Sequence, residues 1–264
     1  MKKLILLKIG GGVITDKSVH YGLREDVLVR LAREISEAKK ELIDTDLIIG
    51  NGAGSFAHFS AHKYRTTEGF INEESRVGMG WVRHDAVKLN QIVLEQLLSA
   101  NCPAFSFSPS SLMSVEDGKT KAIFVDSMVD ALGKGIVPLV YGDVVVDSSR
   151  GCDVYSTEKV FDELAKYFAD KYKVRVIHIS SEEGVYKKGQ ASIFSEINRG
   201  NFEEVKEHLG GSHGVDVSGG MLHKVEECLA LTKMRIVSQI VSGMVNNRVR
   251  DAIIGKKIKG TTIR

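Results

Sequence analysis

Short apolar runs along the chain alternate with longer stretches in which apolar residues recur every three or four positions. The first run, Leu4-Ile5-Leu6-Leu7 with Ile9 beyond Lys8, has the length and composition of a buried strand. Leu47-Ile48-Ile49, Cys102 to Phe107, Ile136 to Tyr141, Val144 to Asp147, Val174 to Ile179 and Ile236 to Val241 repeat that signature. The segment from Ile253 to Ile263 also reads as closing strand, with Gly255 and Gly260 as turns. Helical spacing is carried by Val27, Leu28, Leu31, Ile35 and Ala38 within residues 25–40, and by Val82, Ala86, Leu89, Val93 and Leu97 within residues 74–100. Another helix is predicted through Val160, Leu164 and Tyr167 behind Ser156-Thr157-Glu158, a charged one from Phe202 to Leu209, and a last one through Val225, Cys228 and Leu231. Apolar strands separated by helices make an α/β protein with a parallel sheet.

With 264 residues, 43% of them hydrophobic, the chain is long enough for one large α/β domain or two lobes. Lysine plus arginine, 36, nearly balances aspartate plus glutamate, 34, so no general field draws in nucleic acid or an anionic membrane. Any anion site must be local. Cys102, Cys152 and Cys228 are odd in number and far apart, without zinc spacing, which points to a reduced, intracellular protein. The opening run is too short for a signal peptide, and no run approaches the roughly 20 apolar residues of a membrane helix. The expectation is a soluble cytoplasmic protein.

Candidate chemistry gathers where the apolar runs stop. Gly10-Gly11-Gly12 follows the first run, with Lys8 before it and Asp16-Lys17 after it. Glycines let a backbone approach a phosphate closely, and lysines add compact positive charge. A tight turn with two solvated lysines fits the same residues. A second glycine stretch, Gly50-Asn51-Gly52-Ala53-Gly54, follows the second run and leads to His58, which also reads as a helix-start residue. Ligands collect beyond the carboxyl ends of parallel strands, so the two stretches together say more than either alone. His62 adds no metal site to His58, because no acidic partner or further ligand follows. A third stretch, Gly214 to Lys224, opens a helix in which Lys224 can reach a phosphate held at the helix start. Glu158 either orients nearby lysines or caps its helix. Met79, Trp81 and Val82 are either core or the lining of a pocket for an apolar substrate tail. Gly118-Lys119-Thr120 mimics the end of a P-loop, but Met113 stands where that motif needs glycine, and Gly10 to Thr15 lacks the third glycine of a dinucleotide fingerprint.

Together these pieces resemble the amino acid kinase superfamily and, within it, archaeal-type isopentenyl phosphate kinases, over nearly the whole chain. The most specific are Lys8-Ile9-Gly10-Gly11-Gly12 with Asp16-Lys17, Gly52 to His58, Val137-Pro138 leading to Gly142-Asp143, Asp216-Val217-Ser218-Gly219-Gly220-Met221 with Lys224, and Gly260-Thr261. The histidine resembles the mark of members that phosphorylate a phosphate or phosphonate, the isopentenyl phosphate and fosfomycin kinases. The resemblance implies a three-layer αβα sandwich around a central, mostly parallel sheet. It implies a single domain over residues 1–264, with an acceptor-binding N-terminal lobe over about 1–170 and an ATP-binding C-terminal lobe over about 171–264. It also implies a homodimer, and ATP-dependent phosphorylation of isopentenyl phosphate with Mg2+ carried on the ATP. Catalytic parts fall to Lys8, Lys17, His58, Glu158 and Lys224, and acceptor contacts to Gly52, Ala53, Gly54, His58 and Thr157. Nucleotide contacts fall to Lys8, Gly10, Gly11, Gly12, Gly54, Ser181, Glu183, Gly184, Gly219, Gly220 and Lys224, and no protein residue is assigned to the metal.

The chain departs from the family pattern in three places. Asn51-Gly52-Ala53-Gly54 stands where the family has histidine and three glycines, and Ser156-Thr157-Glu158 where it has serine-glycine-aspartate. Ser180-Ser181-Glu182-Glu183-Gly184-Val185 replaces threonine-aspartate-x-aspartate-glycine-valine. A fosfomycin kinase, another small-molecule kinase of the superfamily, or a nucleotide-binding regulator without turnover are the alternatives. Joint retention of Lys8, Lys17, His58 and Lys224 argues for an enzyme.

Overall fold

The structure is a computed structural model that describes residues 1–209 and 219–264. Its centre is an eight-stranded sheet. In chain order the strands are β1 (Lys3–Ile9), β2 (Thr45–Asn51), β3 (Ala104–Ser106), β4 (Val137–Tyr141), β5 (Lys173–Ser180), β6 (Glu196–Ile197), β7 (Val237–Ser242) and β8 (Thr261–Ile263). Across the sheet they run β6-β8-β7-β5-β1-β2-β4-β3, and every neighbouring pair is parallel except β7 with β8. Every residue of β2 and β4 is buried, and all of β1 after Lys3. Burial on both faces is why these strands read as continuous apolar runs.

The strand period of two sorts the core into two layers. Ile5, Leu7 and Ile9 face α1 (Glu25–Glu41) and α3 (Glu74–Ser99), where Leu28, Leu31, Ile35, Leu89 and Val93 join them in one cluster. Leu4 and Leu6 face α4 (Thr157–Phe168), which contributes Val160, Phe161, Leu164 and Phe168 to the opposite cluster. The remaining helices that matter are α2 (Gly54–Tyr64) and α5 (Gly219–Leu231); Val225 and Cys228 of α5 pack with Ile240 of β7 and Ile263 of β8. The result is the expected αβα sandwich. A smaller sheet runs Lys119–Ile123, Met113–Glu116, Asp143–Asp147, Gly151–Tyr155, and its first hairpin turns at Gly118, as the P-loop rejection required. Among the described residues no helix is long and apolar enough to cross a membrane.

Two expectations change, and a third falls on residues that are not described. The stretch from Ile253 to Ile263 is not a continuous strand: Ile253 ends a helix, Arg248–Ile253, and only Thr261–Ile263 joins the sheet. The buried Glu34 carboxylate of α1 receives the N–H groups of Asn247, Val249 and Arg250 at 2.9, 3.1 and 3.3 Å, a cap supplied from more than two hundred residues away that no local reading contains. Next, the glycine stretches are less loop than helix start. Gly11–Ile14 forms a helical turn, Gly54 opens α2 and Gly219 opens α5, so His58 and Lys224 both sit about one turn into helices. Finally, Asp216-Val217-Ser218 lies outside the described residues.

Candidate active site

The loops after β1, β2 and β4 are stitched side by side at the carboxyl ends of their strands. Gly52 N–H donates to Ile9 O at 2.9 Å, Gly142 N–H to Asn51 O at 3.0 Å, and Gly10 N–H to Ile179 O of β5 at 2.9 Å. The two N-terminal glycine stretches touch backbone to backbone. A Cβ on Gly11 would lie 2.4 Å from Gly54 N, and one on Gly52 would lie 2.7 Å from Gly11 N. No side chain fits between them, which is the physical reason for glycine at these positions.

Cationic side chains reach this edge from distant segments. Lys8 follows Leu4 and Leu6 on the α4 face of β1, is 6% exposed, and forms an ion pair with Glu158 in the first turn of α4. Ser156 caps that helix by accepting from Lys159 N–H at 3.1 Å, which sets where Glu158 emerges. The Lys17 stem crosses Gly12, whose Cβ would meet Lys17 Cε at 3.3 Å. Lys224 is half-buried, about one turn into α5.

Their pKa values show that they share one field. Burial alone would push the Glu158 carboxyl up, but the charge and hydrogen bond of Lys8, with Lys224 in support, hold it down at about 2. Burial and then the Lys8 charge lower the Lys224 ammonium, against the pull of Glu158. His58 shows one face to solvent, yet partial burial, then Lys17 and Lys8, lower its imidazole below 6.5 while Glu158 opposes. It is therefore neutral at pH 7, with an N–H to donate. Lys8 and Lys224 act on one carboxylate and Lys17 on the neighbouring histidine, a local positive excess that suits two anions meeting.

The structure does not bring every expected residue to this point. Thr157 is 1% exposed, and its hydroxyl donates to Asn51 O at 2.7 Å, so it ties α4 to β2 instead of facing the cleft. Its methyl group fills the space above Gly50, whose Cβ would lie 2.6 Å away. Glu183 pairs with Lys259 and lies 4.0 Å from Arg248, facing the C-terminal segment. The place of a Cβ on Gly184 is taken by the Thr261 hydroxyl at 2.5 Å, and Ser181 is exposed. Asn51 is buried and accepts from Asn90 Nδ2 at 3.0 Å. Ala53 lies against an apolar cluster of Ala57, Val82, Ala86, Tyr141, Val144 and Cys152, which Met79 also joins. Trp81 does not: it is 48% exposed and set edge-on against His84.

Sequence reasoning missed several polar groups here. His178 is the β5 partner of Lys8 in the sheet, is 5% exposed, and lies 3.3 Å from Cys228 Sγ through Nε2. Burial, then Lys8 and Lys224, push its imidazole down to about 3. Asp162 is pushed up to about 7 by burial and then Glu227, and Glu227 is itself raised mainly by burial. Both lie one helical turn from a named residue, Asp162 after Glu158 and Glu227 after Lys224, and that spacing was the available signal. Asp143, named above only as part of a motif, is fully buried against Arg83, which approaches within 2.6 Å.

The sequence profile of the amino acid kinase family matches residues 3–242, so this αβα sandwich belongs to that family of phosphotransferases. Within it, the chain falls among the isopentenyl phosphate kinases. It is 34% identical to the isopentenyl phosphate kinase of Methanothermobacter thermautotrophicus and 30% identical to that of Methanocaldococcus jannaschii, with 98% of both chains covered in each comparison. An X-ray structure of an isopentenyl phosphate kinase superposes with a TM-score of 0.82 at 30% identity, over 99% of this chain and 100% of that one. A UMP kinase from Ureaplasma parvum, with a TM-score of 0.62 at 15% identity over 99% of each chain, shares the fold.

Proposed function

We propose that this enzyme transfers the γ-phosphoryl group of ATP to isopentenyl phosphate, giving isopentenyl diphosphate and ADP. The observation that supports the reading is one chain of charge interactions: Lys8 and Lys224 act on Glu158, and Lys8, Lys17 and Glu158 act on His58. A phosphate monoester has a second pKa of about 6, so the attacking oxygen is already anionic at neutral pH and needs no general base. The obstacle is repulsion between two anions, which positioning and charge neutralisation remove.

Lys8 bridges the phosphoryl group in flight, while Lys17 and Lys224 neutralise oxygens on the nucleotide side. Neutral His58 donates a hydrogen bond to the acceptor phosphate, and Glu158 holds Lys8 in place. Gly10, Gly11, Gly12, Gly52 and Gly54 let backbone come close to both phosphates, and Gly219 and Gly220 open the helix that presents Lys224. The apolar cluster around Met79 and Val82 receives the prenyl tail. The lobe before about residue 170 then holds the acceptor and the lobe after it the nucleotide. Mg2+ bound to such a nucleotide neutralises phosphate charge. The ion is assigned to the phosphates themselves, as the family resemblance implies.

A cytoplasmic homodimer completes the reading. Three free, buried cysteines suit a reducing compartment, and the exposed Phe105 of edge strand β3 and Leu98 of α3 offer a second copy an apolar seat. The test is coupled ADP release with isopentenyl phosphate, dimethylallyl phosphate, fosfomycin and acetylglutamate side by side. Prenyl phosphates should be turned over and acetylglutamate should not, and His58→Ala should lower kcat/KM for the prenyl phosphate by about tenfold or more. Turnover confined to fosfomycin or acetylglutamate would reassign the acceptor.

A further inference from the structure

Lys17 is exposed in a small closed loop, so something other than burial must fix its position. The loop is pinched at its base: Thr15 bridges Leu23, and Asp16 N–H donates to Gly22 O at 2.8 Å. Beyond that pinch, Tyr21 makes the loop's side-chain hydrogen bond to the acceptor side of the molecule. The Tyr21 hydroxyl donates to Asp85 Oδ1 of α3 at 2.6 Å, and Asp85 is 2% exposed. The Tyr21 ring packs edge-on against Phe56 of α2 at 5.0 Å and stacks on His20 at 3.8 Å, while Lys88 lies over it at 3.8 Å. His20 in turn touches Phe59, the neighbour of His58. Tyr21 holds a φ of 59°, a left-handed conformation that a bulky residue adopts only when its surroundings impose it.

We propose that Tyr21 and Asp85 are positioning residues: their hydrogen bond fixes the Lys17 loop to the helices that carry the acceptor side, setting Lys17 in register with His58. The inference rests on the role given to Lys17 above. Asp85 is suited to anchor a donor. Burial raises its carboxyl, but hydrogen bonds from Tyr21, His84 and Ser60 outweigh that and keep it low, while the phenol of Tyr21 is pushed up to about 12. At neutral pH the pair is therefore a phenol donating to a carboxylate. A residue that only filled space would not need the hydroxyl.

Tyr21→Phe keeps the ring and its packing and removes only the donor; Asp85→Asn is the second variant, and thermal unfolding of both confirms the folded state. Steady-state kinetics are measured for each in the wild-type background and in a Lys17→Met background. A tether that works through Lys17 makes Tyr21→Phe lower kcat by about tenfold in the wild type, since loosened positioning of a catalytic group costs rate. The same change costs less than about twofold once Lys17 is Met, because the group being positioned is gone. Hydrogen exchange at residues 16–22 rises in Tyr21→Phe. An equal fold-loss in both backgrounds overturns the tether and leaves Lys17's role intact. A Lys17→Met enzyme with full turnover overturns the role of Lys17 and the tether with it.

Discussion

Glu158→Gln removes one negative charge at nearly constant volume and leaves Lys8 facing an amide. The Lys8 side chain is 8% exposed and that of Glu158 20%, so solvent screens their attraction little. The Glu158 carboxyl titrates at about 2 instead of its ordinary 4.5. At about 1.4 kcal/mol for each tenfold change in proton affinity, that gap corresponds to about 3 kcal/mol of stabilisation at neutral pH. The sign follows from the depressed value: the contribution is complete above pH 4.5 and is lost as pH falls toward 2. Urea unfolding of wild type and Glu158→Gln at pH 7 and pH 4 reads it out. The variant should be less stable by about 3 kcal/mol at pH 7, and the gap should narrow at pH 4. A gap under about 0.5 kcal/mol at pH 7, the range of ordinary surface substitutions, or one unchanged at pH 4, would refute the pairing as the organiser of Lys8.

Other consequences are as direct. His178 resists protonation down to about pH 3, whereas the unfolded chain binds that proton below 6.5, so stability is lost as pH falls through this window. Between pH 7 and pH 5 the loss is about 2 kcal/mol, and His178→Leu should flatten that acid limb in pH-dependent unfolding; an unchanged limb assigns it elsewhere. Met79→Ala, alone or with Val82→Ala, should enlarge the tail compartment and raise kcat/KM for geranyl phosphate by tenfold or more, on the scale of about 1–3 kcal/mol for apolar pocket contacts. A substrate profile that does not move removes the compartment from the acceptor site.

The alternation of strands and helices was legible because β1, β2 and β4 are buried on both faces and α1 and α4 bury one, and both patterns stand in the residues themselves. What sequence could not carry was cause at a distance. The helix at Arg248–Ile253 owes its start to Glu34, and the fully buried Asp143 its partner to Arg83. Of the site, Lys8 and Glu158 were named from motif resemblance, yet their ion pair joins residues 150 positions apart. The reading of Thr157 as an acceptor contact shows the limit: a hydroxyl at a helix start beside a phosphate loop looks available until the fold spends it on Asn51 O. His178 gave no signal at all, since a lone histidine within an apolar strand marks nothing until the register sets it beside Lys8.

The convergence of cations on one transfer site is tested most directly by single-turnover quench of Lys8→Ala with saturating ATP and isopentenyl phosphate. The chemical step should slow by about a hundred- to a thousandfold while calorimetric ATP binding and the circular dichroism spectrum stay close to wild type. A chemical step as fast as wild type would contradict it.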